Sequence, residues 1–207
     1  MHRAGATARY DPTTALVIVD VQVDFADPEG ALAVAGGSDV VPVINDEAAA
    51  ALRAGGFVVY TADWHPPRTP HFVTDGGIWP VHCVMGTRGA EFHPGLVVDG
   101  PVVRKGTHGE DGYSGFTMRD PATGDTLPTE LEGLLRDRAI RRVLVSGLAT
   151  DYCVKATALD SARLGFETAV LVDGIRAVDL QPGDGDRAID EMAAAGVAIL
   201  SNAAVPG

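Results

Sequence analysis

The chain has 207 residues, 46% of them apolar, with 28 acidic and 16 basic side chains, a net charge of −12 and two cysteines. Such an acid excess argues against nucleic acid and anionic membrane surfaces as partners, since both are held by clustered Lys and Arg, and leaves a small molecule as the expected ligand. Cys83 and Cys153 cannot form a multi-bridge framework, the opening MHRAGATARYDPTT lacks the apolar core of a signal peptide, and no apolar run could span a bilayer; a cytoplasmic protein, monomer or small homo-oligomer, is expected.

In chain order, ALVIVD (15–20) reads as a first strand, DVVPVINDEAAAALRAGG (39–56) as a helix stopped by a Gly pair, and FVVYTAD (57–63) as a second strand. A loop-rich segment, 64–100, separates this from a third strand in PVVRKG (101–106), and a second such segment follows over 106–128. TELEGLLRDRAI (129–140) is helical with a Thr cap, RVLVSGL (142–148) a strand, and DYCVKATALDSARLG (151–165) a helix that stops at Gly. TAVLVDG (168–174), DRAIDEMAAAG (186–196) and VAIL (197–200) add strand, helix and strand. Runs that are continuously apolar rather than alternating predict strands covered on both faces, so the alternation predicts an α/β fold with a mostly parallel sheet, and residues 1–207 read as one domain. Loops as long as 64–100 and 106–128 in a compact domain are usually functional. Neither a G-x-G-x-x-G after the first strand nor a G-x-x-x-x-G-K-[ST] is present, so the α/β layout does not imply a nucleotide.

Ligands of open α/β sheets bind beyond the carboxyl ends of the strands. Here those ends deliver Asp20, Asp63, Lys105 and, through the turn GLATDYC, Cys153 to one rim. A lone Cys is commonly a small buried hydrophobe. At a helix start beside a base (Asp20) and a cation (Lys105), a thiol is instead placed to act as a nucleophile, and the turn's N–H groups could bind the oxygen of a tetrahedral intermediate.

A second group lies just past the second strand, where ADWHPPRTPHF supplies Asp63, His65 and His71 and WPVHC adds His82. A carboxylate with two or three imidazoles suits one divalent ion, Zn, Fe or Mn. His93 and His108 lack partners at recognisable spacing, and Cys83, without a second thiol, reads as structural. Phe25, Trp79 and Tyr113 adjoin these groups in sequence and could wall a pocket for a planar ring.

The stretches VIVDVQVDF, TADWHPPRTPHF, WPVHCVMGTRGAEFHPGL, VVRKG, YSGF and LVSGLATDYCVKATALDSARLGF, spread over about residues 15 to 200, resemble the isochorismatase-like cysteine hydrolase superfamily and, within it, the nicotinamidases. The resemblance implies a Rossmann-like, three-layer αβα fold with a six-stranded sheet in the order 3-2-1-4-5-6. It implies Asp20, Lys105 and Cys153 as catalytic triad and Asp63, His65 and His82 as metal ligands, with His71 a further ligand in some members. It also implies a cis peptide from Leu148 to Ala149, an oxyanion hole from the N–H groups of Ala149 and Cys153, and a pyridine ring held between Phe25, Trp79 and Tyr113. The expected reaction is hydrolysis of nicotinamide or a related aromatic amide through a cysteine thioester. Competing readings are an amidohydrolase of ureido or N-carbamoyl substrates, an isochorismatase, a silent ligand- or metal-binding module on the same fold, and a thiol redox protein.

Overall fold

The computed structural model describes residues 9–201; most of the N-terminal stretch read for a signal peptide lies outside them. Six strands form one sheet: β1 (Thr14–Val19), β2 (Phe57–Asp63), β3 (Val102–Lys105), β6 (Arg142–Leu148), β7 (Glu167–Arg176) and β8 (Ala198–Leu200). Their order is β3-β2-β1-β6-β7-β8, and every pairing is parallel. Counted without the separate hairpin of β4 (Thr117–Arg119) and β5 (Thr126–Pro128), this is the expected order 3-2-1-4-5-6.

The period of two along each strand divides the core into two layers. On β1, Leu16 and Ile18 face α2 (Val40–Arg53), which buries Val40, Val41, Ile44, Ala48 and Ala51 at helical spacing. Ala15, Val17 and Val19 face the opposite side, against Leu131 and Leu135 of α3 (Leu131–Asp137), Ala158 of α4 (Lys155–Arg163) and Met192 of α5 (Asp184–Ala194). Both faces of the sheet are therefore covered, which is why its strands are continuously apolar. The Gly pair ends α2 as expected: Gly55 takes φ +76, and the Gly56 N–H returns to the Ala51 carbonyl at 2.8 Å. Thr129 caps α3, its Oγ1 accepting the Leu131 N–H at 3.1 Å.

Two elements depart from the sequence reading. The second loop-rich segment contains the β4–β5 hairpin, whose three-residue strands are too short for a periodic signal, and a single turn, α1 (Val23–Ala26), follows β1. Among the described residues, no helix is long and apolar enough to cross a membrane.

Candidate active site

The switch point of the sheet lies between β1 and β6, and the groups read from the strand ends meet there. Asp20 follows β1 with φ +49; its Oδ1 accepts the Thr61 hydroxyl at 2.6 Å and its N–H donates to the Thr61 carbonyl at 3.2 Å. Asp63 and Lys105 are register partners on β2 and β3. The fully buried Lys105 ammonium lies 2.9 Å from Asp20 Oδ2 and 3.7 Å from Cys153 Sγ, and it also donates to Asp63 Oδ1. Asp20, Asp63 and Cys153 each offer an atom within 4.8 Å of the others. A carboxylate oxygen carries more than one lone pair, so the ion pair with the ammonium leaves Asp20 Oδ2 able to take a proton.

Burial dominates the electrostatics of these groups. It pushes the Cys153 thiol well above its ordinary pKa, with Lys105 pulling the other way, and it raises Asp20 against the same cation. Lys105 itself would be lowered by burial, but Asp20 and then Asp63 hold it well above the usual amine range. Asp63 feels the same burial penalty, outweighed by Lys105, His65 and His82, which keep it ionised.

Cys153 is delivered by a tight passage out of β6. Gly147, at φ +118, lies so close to the Val19 backbone that a Cβ would collide with it. The Leu148–Ala149 peptide is cis, as the resemblance implies. A π-helical turn, Thr150–Val154, comes next, with the Val154 N–H bonded to the Ala149 carbonyl at 3.1 Å. This corrects the sequence reading: Cys153 sits in a π turn, and α-helical geometry begins at Lys155. The wider i→i+5 bonding of such a turn leaves no mark in hydrophobic periodicity. Asp151 pins the turn from behind, its two oxygens accepting the N–H groups of Val178 and Asp179 at 2.9 Å each.

The histidines form the second cluster. His65, His71 and His82 are all buried, and each presents a nitrogen within 4.8 Å of the other two. His82 Nδ1 pairs with the Pro80 carbonyl at 2.7 Å and His71 Nδ1 with Asp111 Oδ1 at 2.7 Å, which leaves Nε2 of each ring for the cluster. Burial takes the His82 pKa down to about 4, so its imidazole is neutral, the form that binds metals. Asp63 Oδ2 lies 3.7 Å from His65 Nε2 and 3.9 Å from His82 Nε2. Both ring nitrogens of His65 are buried without a hydrogen-bond partner, a costly state that a divalent ion would relieve at one of them. The donor set of three imidazoles and a carboxylate fits such an ion. Gly106, at φ +77, makes room for the His65 ring, since a Cβ there would stand 2.6 Å from His65 Nδ1. As expected, His93 and His108 stay apart: His93 accepts the Gly95 N–H, and His108 sits beside Glu110. Cys83 is buried, its N–H held by Asp24 at 2.7 Å.

Between the two clusters lies a cavity lined by Phe25, Trp79 and Tyr113, with Cys153, His71 and His82 also on its wall. Trp79 Nε1 donates to the Tyr113 hydroxyl at 3.0 Å. Tyr152, which the sequence reading passed over, stands edge-on to both rings, 4.9 Å from Trp79 and 5.2 Å from Tyr113. Its place next to Cys153 in the chain was the available signal. Gln22 was also missed: its amide donates to the carbonyls of Asp63 and Ala90 at 2.7 and 2.9 Å and accepts the Asp63 N–H at 2.8 Å, tying the ends of β1 and β2 together.

The isochorismatase domain family matches residues 14–204. A nicotinamidase of Escherichia coli (strain K12) is 38% identical over 208 residues, covering 92% of this chain and 95% of that protein. Among solved structures, the pyrazinamidase of Pyrococcus horikoshii in complex with zinc is 39% identical with a TM-score of 0.81, over 92% of this chain and 99% of that one. PnC1 from L. infantum in complex with nicotinate is 39% identical with a TM-score of 0.83, over 94% and 96%. Sequence match and fold agree, and the chain belongs to the isochorismatase domain family.

Proposed function

We propose that this chain is a nicotinamidase: a hydrolase of amide C–N bonds that converts nicotinamide to nicotinate and ammonia through a thioester on Cys153. The observation that carries the reading is the buried Asp20–Lys105–Cys153 cluster opening on an aromatic-walled cavity beside three histidine rings. The relatives and solved structures named for nicotinamide, pyrazinamide or nicotinate chemistry support the same substrate class. Residues 1–207 act in this reading as one hydrolase domain, cytoplasmic, as a monomer or small homo-oligomer.

Because burial holds the Cys153 thiol protonated, proton transfer accompanies attack rather than preceding it. Asp20, made more basic by its own burial, takes the Sγ proton as sulfur bonds to the carboxamide carbon. The N–H groups of Ala149 and Cys153 hold the oxyanion. Protonated Asp20 gives the proton to the amide nitrogen, the C–N bond breaks, ammonia leaves and the acyl group stays on sulfur. Asp20 then takes one proton from water as the water oxygen attacks the thioester; the C–S bond breaks, that proton returns to Sγ, and the acid gives its remaining proton to solvent and departs as nicotinate. Lys105 holds Asp20 in place and balances its charge. Phe25, Trp79 and Tyr113 hold the ring so that the carboxamide meets the thiol.

Asp63, His65, His71 and His82 would hold one divalent ion, Zn, Fe or Mn. Such an ion supplies a Lewis acid at the edge of the cavity, suited to the lone pair of a pyridine nitrogen. The test is ammonia release from nicotinamide by the protein as isolated, after chelation, and with Zn, Mn or Fe restored. Activity lost on chelation and regained with one ion is expected; no ammonia under any condition overturns the substrate.

A further inference from the structure

The structure assigns Asp111 as the positioning residue of the metal centre: its carboxylate takes up the Nδ1–H of His71 and turns Nε2 of that ring toward His65 and His82. The inference rests on the metal centre proposed above and adds to it a residue two positions before Tyr113 of the cavity wall.

Asp111 is itself held in place. Its backbone pairs with Arg119 in both directions, at 2.8 and 2.6 Å, which anchors it to the first strand of the hairpin. The Gly112 N–H donates to Asp111 Oδ1 at 2.8 Å, and that oxygen is also 2.7 Å from His71 Nδ1. A second link between the same two loops joins the Thr69 hydroxyl to the Gly109 carbonyl at 3.3 Å. His71 in turn is stacked on His65, with ring centroids 4.8 Å apart and planes 21° apart, and its centroid is 5.3 Å from that of His82. A carboxylate on the far nitrogen of a metal-binding imidazole fixes its tautomer and strengthens it as a donor. The Asp111 side chain is 47% exposed, so removing it strands no charge in the core.

The test is zinc affinity, measured by competition with a chromophoric chelator on wild-type protein, Asp111→Ala, Asp111→Asn, His71→Ala and the double variant His71→Ala/Asp111→Ala. Asp111→Ala is expected to weaken zinc about 10- to 100-fold. Asp111→Asn, which keeps an acceptor oxygen without the charge, is expected to lose less. Because Asp111 acts through His71, the double variant should bind zinc no more weakly than His71→Ala alone. Zinc affinity of Asp111→Ala within twofold of wild type overturns the assignment, as do losses that multiply in the double variant. Turnover is not the readout. Wild-type protein that binds zinc but releases no ammonia from nicotinamide overturns the substrate and, with the expected variant affinities, supports Asp111; wild-type protein that binds no zinc overturns Asp111's role.

Discussion

The Lys105 ammonium lies 3.7 Å from the Cys153 sulfur, and neither residue is more than 7% exposed. Cation and thiol are close enough to interact, yet burial outweighs the cation and the thiol keeps its proton. In the proposed mechanism the proton therefore moves to Asp20 during attack, and no standing thiolate is needed.

That balance predicts a distinctive pH response. After burial, Asp20 and Asp63 are the groups that raise the Cys153 pKa, so Asp20→Asn should lower it. Alkylation of Cys153 by iodoacetamide, which follows the thiolate, should still be climbing in the wild type as pH passes 9 and should run faster in Asp20→Asn at pH 8. The same variant should lose turnover, having lost its base. Slower alkylation in Asp20→Asn would contradict the charge assignment.

Separating the two clusters by substitution gives a second prediction. Cys153→Ala should abolish ammonia release while metal content, measured by elemental analysis, stays at the wild-type level. Asp63→Ala and His65→Ala should lose metal. Appreciable turnover in Cys153→Ala would remove the thioester from the mechanism.

Gln22 carries no chemistry, but its amide satisfies three backbone groups at the rim. Gln22→Leu leaves those buried groups without partners at about 1 kcal/mol or more each, so a loss on the order of 3 kcal/mol is expected in urea unfolding. A change under about 1 kcal/mol would mean that water replaces the amide.

Tyr152 braces Trp79 and Tyr113 edge-on, and such pairs contribute about 1 kcal/mol each. Tyr152→Ala should raise KM for nicotinamide about fivefold with a smaller change in kcat, because it loosens the wall and leaves the reacting groups alone. A fall confined to kcat would place Tyr152 in the chemistry instead.

Strands and their ends were legible because β1, β2 and β6 are buried on both faces, so their apolar runs stop where the polar rim begins; β3, at the sheet edge with Arg104 exposed, still ends its short apolar run at Lys105. Asp20, Asp63, Lys105 and the Cys153 turn could be read from those stops alone. His65, His71 and His82 were found as a cluster in the chain and are a cluster in space. Pairings across loops were hidden: nothing in local sequence couples Asp111 to His71 forty residues away, or Asp151 to the N–H groups of Val178 and Asp179. Asp63 was read as a metal ligand, yet it also accepts a hydrogen bond from Lys105, because strand register rather than spacing sets them side by side.

The β4–β5 hairpin bonds to itself and stands apart from the main sheet, while the reacting groups issue from the sheet's own strands. Of the residues that line the cavity, Tyr113 comes from the stretch between Lys105 and α3 and the hairpin strands contribute none. Changes at Tyr113 can alter which ring fits while the strand-end groups proposed to break the bond stay in place, so that substrate range can diverge under an unchanging reaction.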